Sequence, residues 1–413
     1  MISAQTAPAE REEKPFLPFS LPWIGDEEIE AVVDCLRSGW ITTGPRVKRF
    51  EEEFAEFVGA RHAVALNSCT AALHLALEAF DIEPGEEVLV PTMTFAATAE
   101  VVRYLDARPI LIDCEPDTLN ISVEGLRSYL EEQCENTPEG ACSRATGKRV
   151  RALIPVHYGG LPCEMDLLLN LAEEHKLSVV EDAAHSFPAR YRNRTIGTLG
   201  NASAFSFYAT KNLSTGEGGM LTTDDGRIAE RVRLMSLHGI SKDAWLRYTA
   251  EGSWYYEIVE AGYKYNLTDI AAALGIAQLH RASHLWERRR EIAARYTRAF
   301  ERIPELHPPA DSNHSEHGWH LYPIRLHLDR LRISRGVFIS ELKERGIGTS
   351  VHFIPLHLHP YYRDNFGYRP PDLPIAAREF ERIISLPLYP RMSDSDVGRV
   401  IEAVVEIVEA HRA

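Results

Sequence analysis
Seven short apolar runs between residues 62 and 224 constrain this chain more than any other feature: HAVALNS, EEVLVP, RPILIDC, VRALIPVH, LSVVEDA, ASAFSFY and GGMLTTD. Longer stretches with helical spacing separate the first five, such as the face marked by Leu73, Ala76, Leu77 and Phe80. Apolar strands alternating with amphipathic helices imply a mostly parallel sheet covered on both faces. Only a glycine-rich link lies between the last two runs, so no helix fits there. That link, within FYATKNLSTGEGG (207–219), carries a single lysine, Lys211.

At 413 residues the chain exceeds one small core, and two domains are expected. Thr268-Asp269 can cap a long helix running to about Ile303, with Ile270, Leu274, Ala277, Leu285, Ile292 and Tyr296 as its apolar stripe. It reads as a strut into a second unit. There 318–328 reads as a strand, 335–346 as a helix and 347–353 as another strand. The polar segment 125–149 reads as an exposed loop. The expected division is a loose tail over 1–15, a large domain over 16–267, the connecting helix over 268–303 and a small α+β domain over 304–413.

Composition narrows the partners. The formal charge of −15 disfavours nucleic acid and anionic membrane, though a local pocket can still receive an anionic small molecule. Six scattered cysteines with no CxxC pair suit reduced thiols rather than a disulfide frame or a zinc site; Cys134 and Cys142 are the one pair that could close a loop. No run of 18 apolar residues and no signal-type start occurs, so a cytoplasmic protein is expected.

Ligands of open α/β sheets bind at the carboxyl ends of the strands. Four such ends carry polar or aromatic groups, and each has an ordinary reading beside a functional one. In NSCTAALHLAL (67–77), Ser68, Cys69 and Thr70 open a helix; they are either a plain cap or an anion site made of N–H groups and hydroxyls. In VVEDAAHS (179–186), Asp182 either caps a turn or pairs with a buried cationic nitrogen. His185 is a ring contact or a core imidazole. Lys211 is a solvated loop residue or a reactive amine, with Ser206 five residues before it and Gly216, Gly218 and Gly219 after it suited to close approach. Phe95 in PTMTFAATAE (91–100) is core packing or a flat wall.

Together the four describe one ligand, pyridoxal 5'-phosphate (PLP). Its aldehyde needs a lysine amine, its ring nitrogen a carboxylate, its phosphate N–H and hydroxyl donors, and its ring a stacking face. Asp182 precedes Lys211 by 29 residues, the order expected in the large aspartate-aminotransferase type of fold.

Over nearly its whole length the chain also resembles the DegT/DnrJ/StrS family of sugar-nucleotide aminotransferases. The resemblance is carried by SGWITTGP (38–45), NSCTAALHLAL, PTMTFAAT, IPVHYGG (154–160), VVEDAAHS, FSFYATKN and GYKYNLTDIAAAL (262–274). It implies fold type I and a homodimer with shared active sites. Lys211 would be the catalytic lysine, Asp182 the partner of the ring nitrogen, and His185 would lie near the ring where many relatives have glutamine. Ser206, Ser68, Cys69 and Thr70 would hold the phosphate, and Phe95 would stack on the ring. Cys69 stands where glycine is common, which puts a side chain where backbone should approach the phosphate. In the family's GYNYR run the asparagine reaches the phosphate of the neighbouring subunit's cofactor; the run here is GYKYN, so Asn266 is the candidate cofactor contact, and either Asn266 or Lys264 is expected to cross the dimer interface.

The implied reaction moves an amino group from L-glutamate to the C4 keto group of a nucleotide-linked sugar, with pyridoxamine 5'-phosphate as intermediate. DAAH, HYGG and GYKYNL together with GWHL (318–321), GIGTSVHF (346–353) and SLPLYP (385–390) resemble the members of this family that act on a UDP-linked 4-keto-pentose, and the resemblance implies UDP-4-amino-4-deoxy-L-arabinose for lipopolysaccharide as product. A 4-keto-6-deoxyhexose nucleotide stays open, as does a non-catalytic sensor of the cofactor or sugar nucleotide. His320, Arg325 and His352 are candidates for the substrate diphosphate. Relatives that carry histidine in place of the lysine dehydrate instead of transaminating, and Lys211 speaks against that chemistry here.

Overall fold
The structure is a computed structural model that describes residues 15–241, 255–312 and 314–413. The tail expected over 1–15 lies, but for Pro15, outside the described residues.

The seven expected strands all form. They are β1 (His62–Leu66), β2 (Glu87–Pro91), β3 (Arg108–Ile112), β4 (Val150–Leu153), β5 (Ser178–Asp182), β6 (Ala202–Ser206) and β7 (Gly219–Thr223). They lie side by side in the order β1-β7-β6-β5-β4-β2-β3. Only β7 runs antiparallel to its neighbours, β1 and β6, because the short link after β6 leaves no length for a crossover.

Strand side chains alternate between two cores. Ala63, Ala65, Val179 and Phe205 face one that includes Phe50 and Phe54 of α1 (Pro45–Val58). Val64, Leu66, Val180 and Ala204 face the other, with α2 (Cys69–Ala79) and α3 (Ala97–Tyr104). The sheet is therefore buried on both sides, as its runs require.

Three expectations need correction. The segment 125–149 is not a loop: it holds a helix end, a wide helical turn and a hairpin pairing Cys134–Thr137 with Gly140–Ser143. Leu126, Leu130, Cys134 and Ala141 supply its buried contacts to the core, a sparse pattern that polar neighbours mask. The connecting helix is two helices, α4 (Asp269–His280) and α5 (Ala282–Phe300). They break at Arg281, whose guanidinium is held by Glu28 at 2.7 and 2.8 Å and lies over the Trp23 ring. Thr268 does cap α4, accepting from the Ala271 N–H at 3.2 Å. Finally, 347–353 is not a strand; it makes only single bridges from Ile347 to Leu17 and from Ser350 to Ser385.

In the small unit, Leu306–His307, Tyr322–Leu326 and Ile383–Leu386 form an antiparallel sheet. It packs with α5, α6 (Arg335–Glu344) and α7 (Asp394–His411), and Leu17 joins this core from the chain's beginning. All six cysteines are free thiols; in the hairpin Cys134 faces Ser143 and Cys142 faces Glu135. No helix of the described residues is long and apolar enough to cross a membrane.

Candidate active site
The carboxyl ends of β1, β2, β5 and β6 converge, and the expected groups meet there. Asp182 ends β5 almost fully buried. Its Oδ2 accepts from the Thr98 hydroxyl of α3 at 2.8 Å, and its Oδ1 from the Ala184 N–H at 3.2 Å. Burial pushes its pKa up, and these two donors, helped by the Lys211 charge, do not offset it. In the sequence Thr98 carries only one signal, a hydroxyl three residues after Phe95 within PTMTFAATAE.

Lys211 sits partly buried in the turn between β6 and β7. Burial lowers its pKa to about 8, against the opposing influence of Cys69 and Asp182. Its Nζ makes no hydrogen bond or ion pair among the described residues. An amine whose pKa is brought this close to neutral pH, and which has no partner, is suited to nucleophilic and proton-transfer work.

The residues expected to hold a phosphate come together from three pieces of chain. Ser68 caps α2, its Oγ accepting from the Ala71 N–H at 3.1 Å. The N–H groups of Cys69 and Thr70 have no backbone partner in the first turn, as helix geometry dictates. Ser206 ends β6 opposite Gly219 of β7. A Cβ at Gly219 would lie 2.3 Å from the Ser68 carbonyl carbon and 2.5 Å from the Cys69 nitrogen, so only glycine lets β7 approach this turn. The side chain of Cys69 does not enter this cluster, contrary to expectation. Its Sγ turns inward to the Ala204 carbonyl at 3.4 Å, and burial keeps the thiol protonated.

Phe95 is 64% exposed, an uncovered ring at the end of β2. Its nearest ring is Phe353 at 6.2 Å, which stacks on His185 at 5.7 Å and 17°. His185 in turn lies 4.5 Å from His320. The Nδ1 of His185 accepts from the Gly159 N–H at 3.3 Å, so the neutral ring carries its proton on Nε2. Burial and then the Lys211 charge hold His185 well below the ordinary imidazole range and take His352 down to about 4. His320 is likewise depressed, by burial and then by His185, and its Nδ1 is buried without a partner. Two of the three suggested diphosphate residues, His320 and His352, therefore face the Lys211 region. Arg325 does not: it is buried in the small unit against the Pro116 and Asp117 carbonyls, His307 and Glu379.

Asn266 stands beside the end of β1, where Asn67 N–H donates to the Tyr265 carbonyl at 2.7 Å. It bridges to Leu66, donates to the Thr43 hydroxyl at 2.6 Å, and accepts from Lys264. With Thr42, Thr43 and Lys264 it lines an open groove of about 820 Å³ along the edge strand β1.

PLP fits this set of donors. The groups it needs are those the fold leaves incomplete: an unpartnered amine, a carboxylate short of donors, the first N–H groups of a helix, and an uncovered ring.

The DegT/DnrJ/EryC1/StrS aminotransferase family matches residues 22–405, and the chain belongs to it. It is 51% identical over 395 residues to the spore coat polysaccharide biosynthesis protein SpsC of Bacillus subtilis, covering 95% of this chain and 97% of that protein. The sugar aminotransferase Spr1654 of Streptococcus pneumoniae, described as putative, superposes in its pyridoxamine phosphate form with a TM-score of 0.86 at 34% identity. That match covers 95% of this chain and 99% of the other. PseC of Helicobacter pylori, an aminotransferase involved in the biosynthesis of pseudoaminic acid, gives 0.85 at 29% identity, covering 96% and 100%. The protein is accordingly a PLP-dependent sugar aminotransferase of fold type I, with pyridoxamine 5'-phosphate as the alternate cofactor form.

Proposed function
We propose that this enzyme transfers the amino group of L-glutamate to the C4 keto group of a nucleotide-linked sugar, with Lys211 as the proton-moving residue. The observation that carries the reading is the partnerless Lys211 amine, its pKa lowered to about 8 by burial, grouped with Asp182 at the carboxyl end of the sheet. When bound, the cofactor supplies an aldehyde for amine exchange and an electron-withdrawing ring.

The chain's own residues do the rest. Asp182, held by Thr98, keeps the ring nitrogen protonated and thereby gains the cation its buried carboxylate lacks. The first turn of α2 with Ser68, Cys69 and Thr70, together with Ser206, binds the phosphate. Phe95 would cover one ring face, and His185 would serve beside the ring as a neutral donor through Nε2. Lys211 Nζ takes a proton from the donor's Cα as general base and returns it as general acid. The glutamate and keto-sugar half-reactions alternate, which requires ping-pong kinetics.

For the sugar, the C-terminal motifs favour a UDP-linked 4-keto-pentose, giving UDP-4-amino-4-deoxy-L-arabinose. The likeness to SpsC and PseC favours a second reading, a 4-keto-6-deoxyhexose nucleotide feeding a surface polysaccharide. We further assign a homodimer with shared sites, in which Lys264 or Asn266 crosses at the β1 groove; sedimentation of a monomer would remove that assignment.

The test is a panel of 4-keto pentose and hexose nucleotides assayed with glutamate. Turnover of the pentose supports the first reading, and turnover confined to hexoses overturns it while leaving the chemistry. Lys211→Ala should abolish transfer and the visible absorbance of the lysine-bound cofactor; persisting turnover would remove Lys211 from its role.

A further inference from the structure
Asn212, the residue after the lysine, ties the lysine turn to two other chain segments. The Asn212 side-chain nitrogen donates to the Phe187 carbonyl at 2.7 Å and to the Gly318 carbonyl at 2.6 Å. Phe187 follows the turn that carries Asp182 and His185. Gly318 begins the small-domain segment that carries His320. That segment is itself laid against the large domain, with Gly318 N–H donating to Gly160 at 2.8 Å and His320 N–H to Gly159 at 3.0 Å. One amide group therefore joins the three chain segments that supply Lys211, His185 and His320.

The chemistry of the position is selective. Both partners are carbonyls, so the side chain must offer two N–H donors at short reach. An aspartate would set carboxylate oxygens against carbonyl oxygens, a leucine would offer no donor, and a serine would offer one. The Asn212 Oδ1 is buried without a partner, so the fold keeps this amide although half of it goes unsatisfied. Lys211, meanwhile, has no side-chain partner to locate its Nζ among the described residues; its backbone N–H donates to the Tyr208 carbonyl at 2.8 Å, in a link also closed by Thr215 N–H to the Phe207 carbonyl at 2.9 Å and by a bridge from Tyr208 to Gly216.

We infer that Asn212 is a positioning residue for Lys211: its amide pins the lysine turn to the His185 turn and to the small-domain segment, and so sets where the amine stands. This rests on the assignment of Lys211 made above. Loss of the tie lets the turn move outward and the amine become hydrated, which reverses the burial that lowers its basicity.

The experiment compares Asn212→Asp, Asn212→Ala and Asn212→Ser with the unaltered enzyme. In the cofactor-free protein, the pH dependence of Lys211 modification by a small amine-reactive reagent, read by peptide mass, reports the midpoint of its ionisation. In the holoenzyme, the glutamate half-reaction reports kcat and KM. We expect the midpoint to rise in Asn212→Asp and Asn212→Ala, and kcat to fall about 10- to 100-fold with KM changed less than about threefold, the scale of a misplaced reacting group. Asn212→Ser should fall between. An unchanged midpoint with kcat within about twofold in folded variants overturns the inference and leaves Asn212 a domain staple. If none of the three folds, Asn212 belongs to the fold itself and the inference is likewise overturned. Should unaltered enzyme and Lys211→Ala transaminate equally, the fault lies in the Lys211 assignment rather than in Asn212.

Discussion
Glu181 and Asp182 are consecutive on β5, both carboxylates and both buried, and they face opposite sides of one sheet. Glu181 faces the α1 side. Its Oε1 accepts from the Ser203 hydroxyl at 2.7 Å, the Gly200 N–H at 2.9 Å and the Leu199 N–H at 3.2 Å. Its Oε2 meets His157 Nε2 at 3.1 Å, and His157 Nδ1 accepts from the Cys163 N–H at 3.1 Å. Burial pushes Glu181 up, but these bonds outweigh it, and its pKa lies below the usual carboxylate range. Asp182, on the α2 and α3 side, has two donors and lies above that range. A carboxylate whose donors all come from the fold serves structure. One that the fold leaves short of donors is prepared for a cation from outside.

The largest effect separating the two faces should be catalytic. Asp182→Asn keeps the shape but cannot hold the ring nitrogen protonated, and we expect about a 10²–10³-fold slower glutamate half-reaction with little change in folding. Single-turnover kinetics checks this; a rate within threefold would make Asp182 a helix cap. The next effect should be on stability. Glu181→Gln sets an amide N–H₂ among donors and should cost about 2–4 kcal/mol, read from urea midpoints, while the folded fraction keeps its rate within about threefold. A rate loss comparable to that of Asp182→Asn would erase the distinction between the faces.

The smallest effect should be in the acid limb of stability. Glu181 is depressed, so the stability it contributes is present above the ordinary value of about 4.3 and is lost as pH falls through its folded pKa. Asp182 is raised, so the folded state gains protons first. Its unfavourable contribution is removed as pH falls through the folded pKa toward the ordinary value of about 3.9. Between pH 7 and 4 in cofactor-free protein, Glu181→Gln should flatten the loss of stability and Asp182→Asn should steepen it. Urea midpoints at the two pH values check both slopes, and equal slopes would contradict the assigned directions.

Much of this arrangement was legible in the chain. The seven strand runs, the end-of-strand positions of Asp182 and Phe95, and the glycines behind Lys211 are local patterns, and local patterns survive into the fold. Gly219 shows the limit: close approach was readable, but not that the neighbour is the Ser68-Cys69 peptide. The hairpin within 125–149 was missed because its few buried side chains stand among polar ones. The break at Arg281 was missed because Glu28 and Trp23, which hold it, are some 250 residues away.

Cys69 was misjudged for a related reason. Its identity marked a departure, but the direction of its side chain depends on β6 standing behind it. By itself, then, the sequence determined which residue types stand at the ends of which strands, because strand period and chain order are local properties. Only the tertiary structure decided which of them meet, which face each takes and how many donors each receives. Those are sums over segments that come together from distant parts of the chain, as Thr98 does for Asp182 and Gly318 does for Asn212.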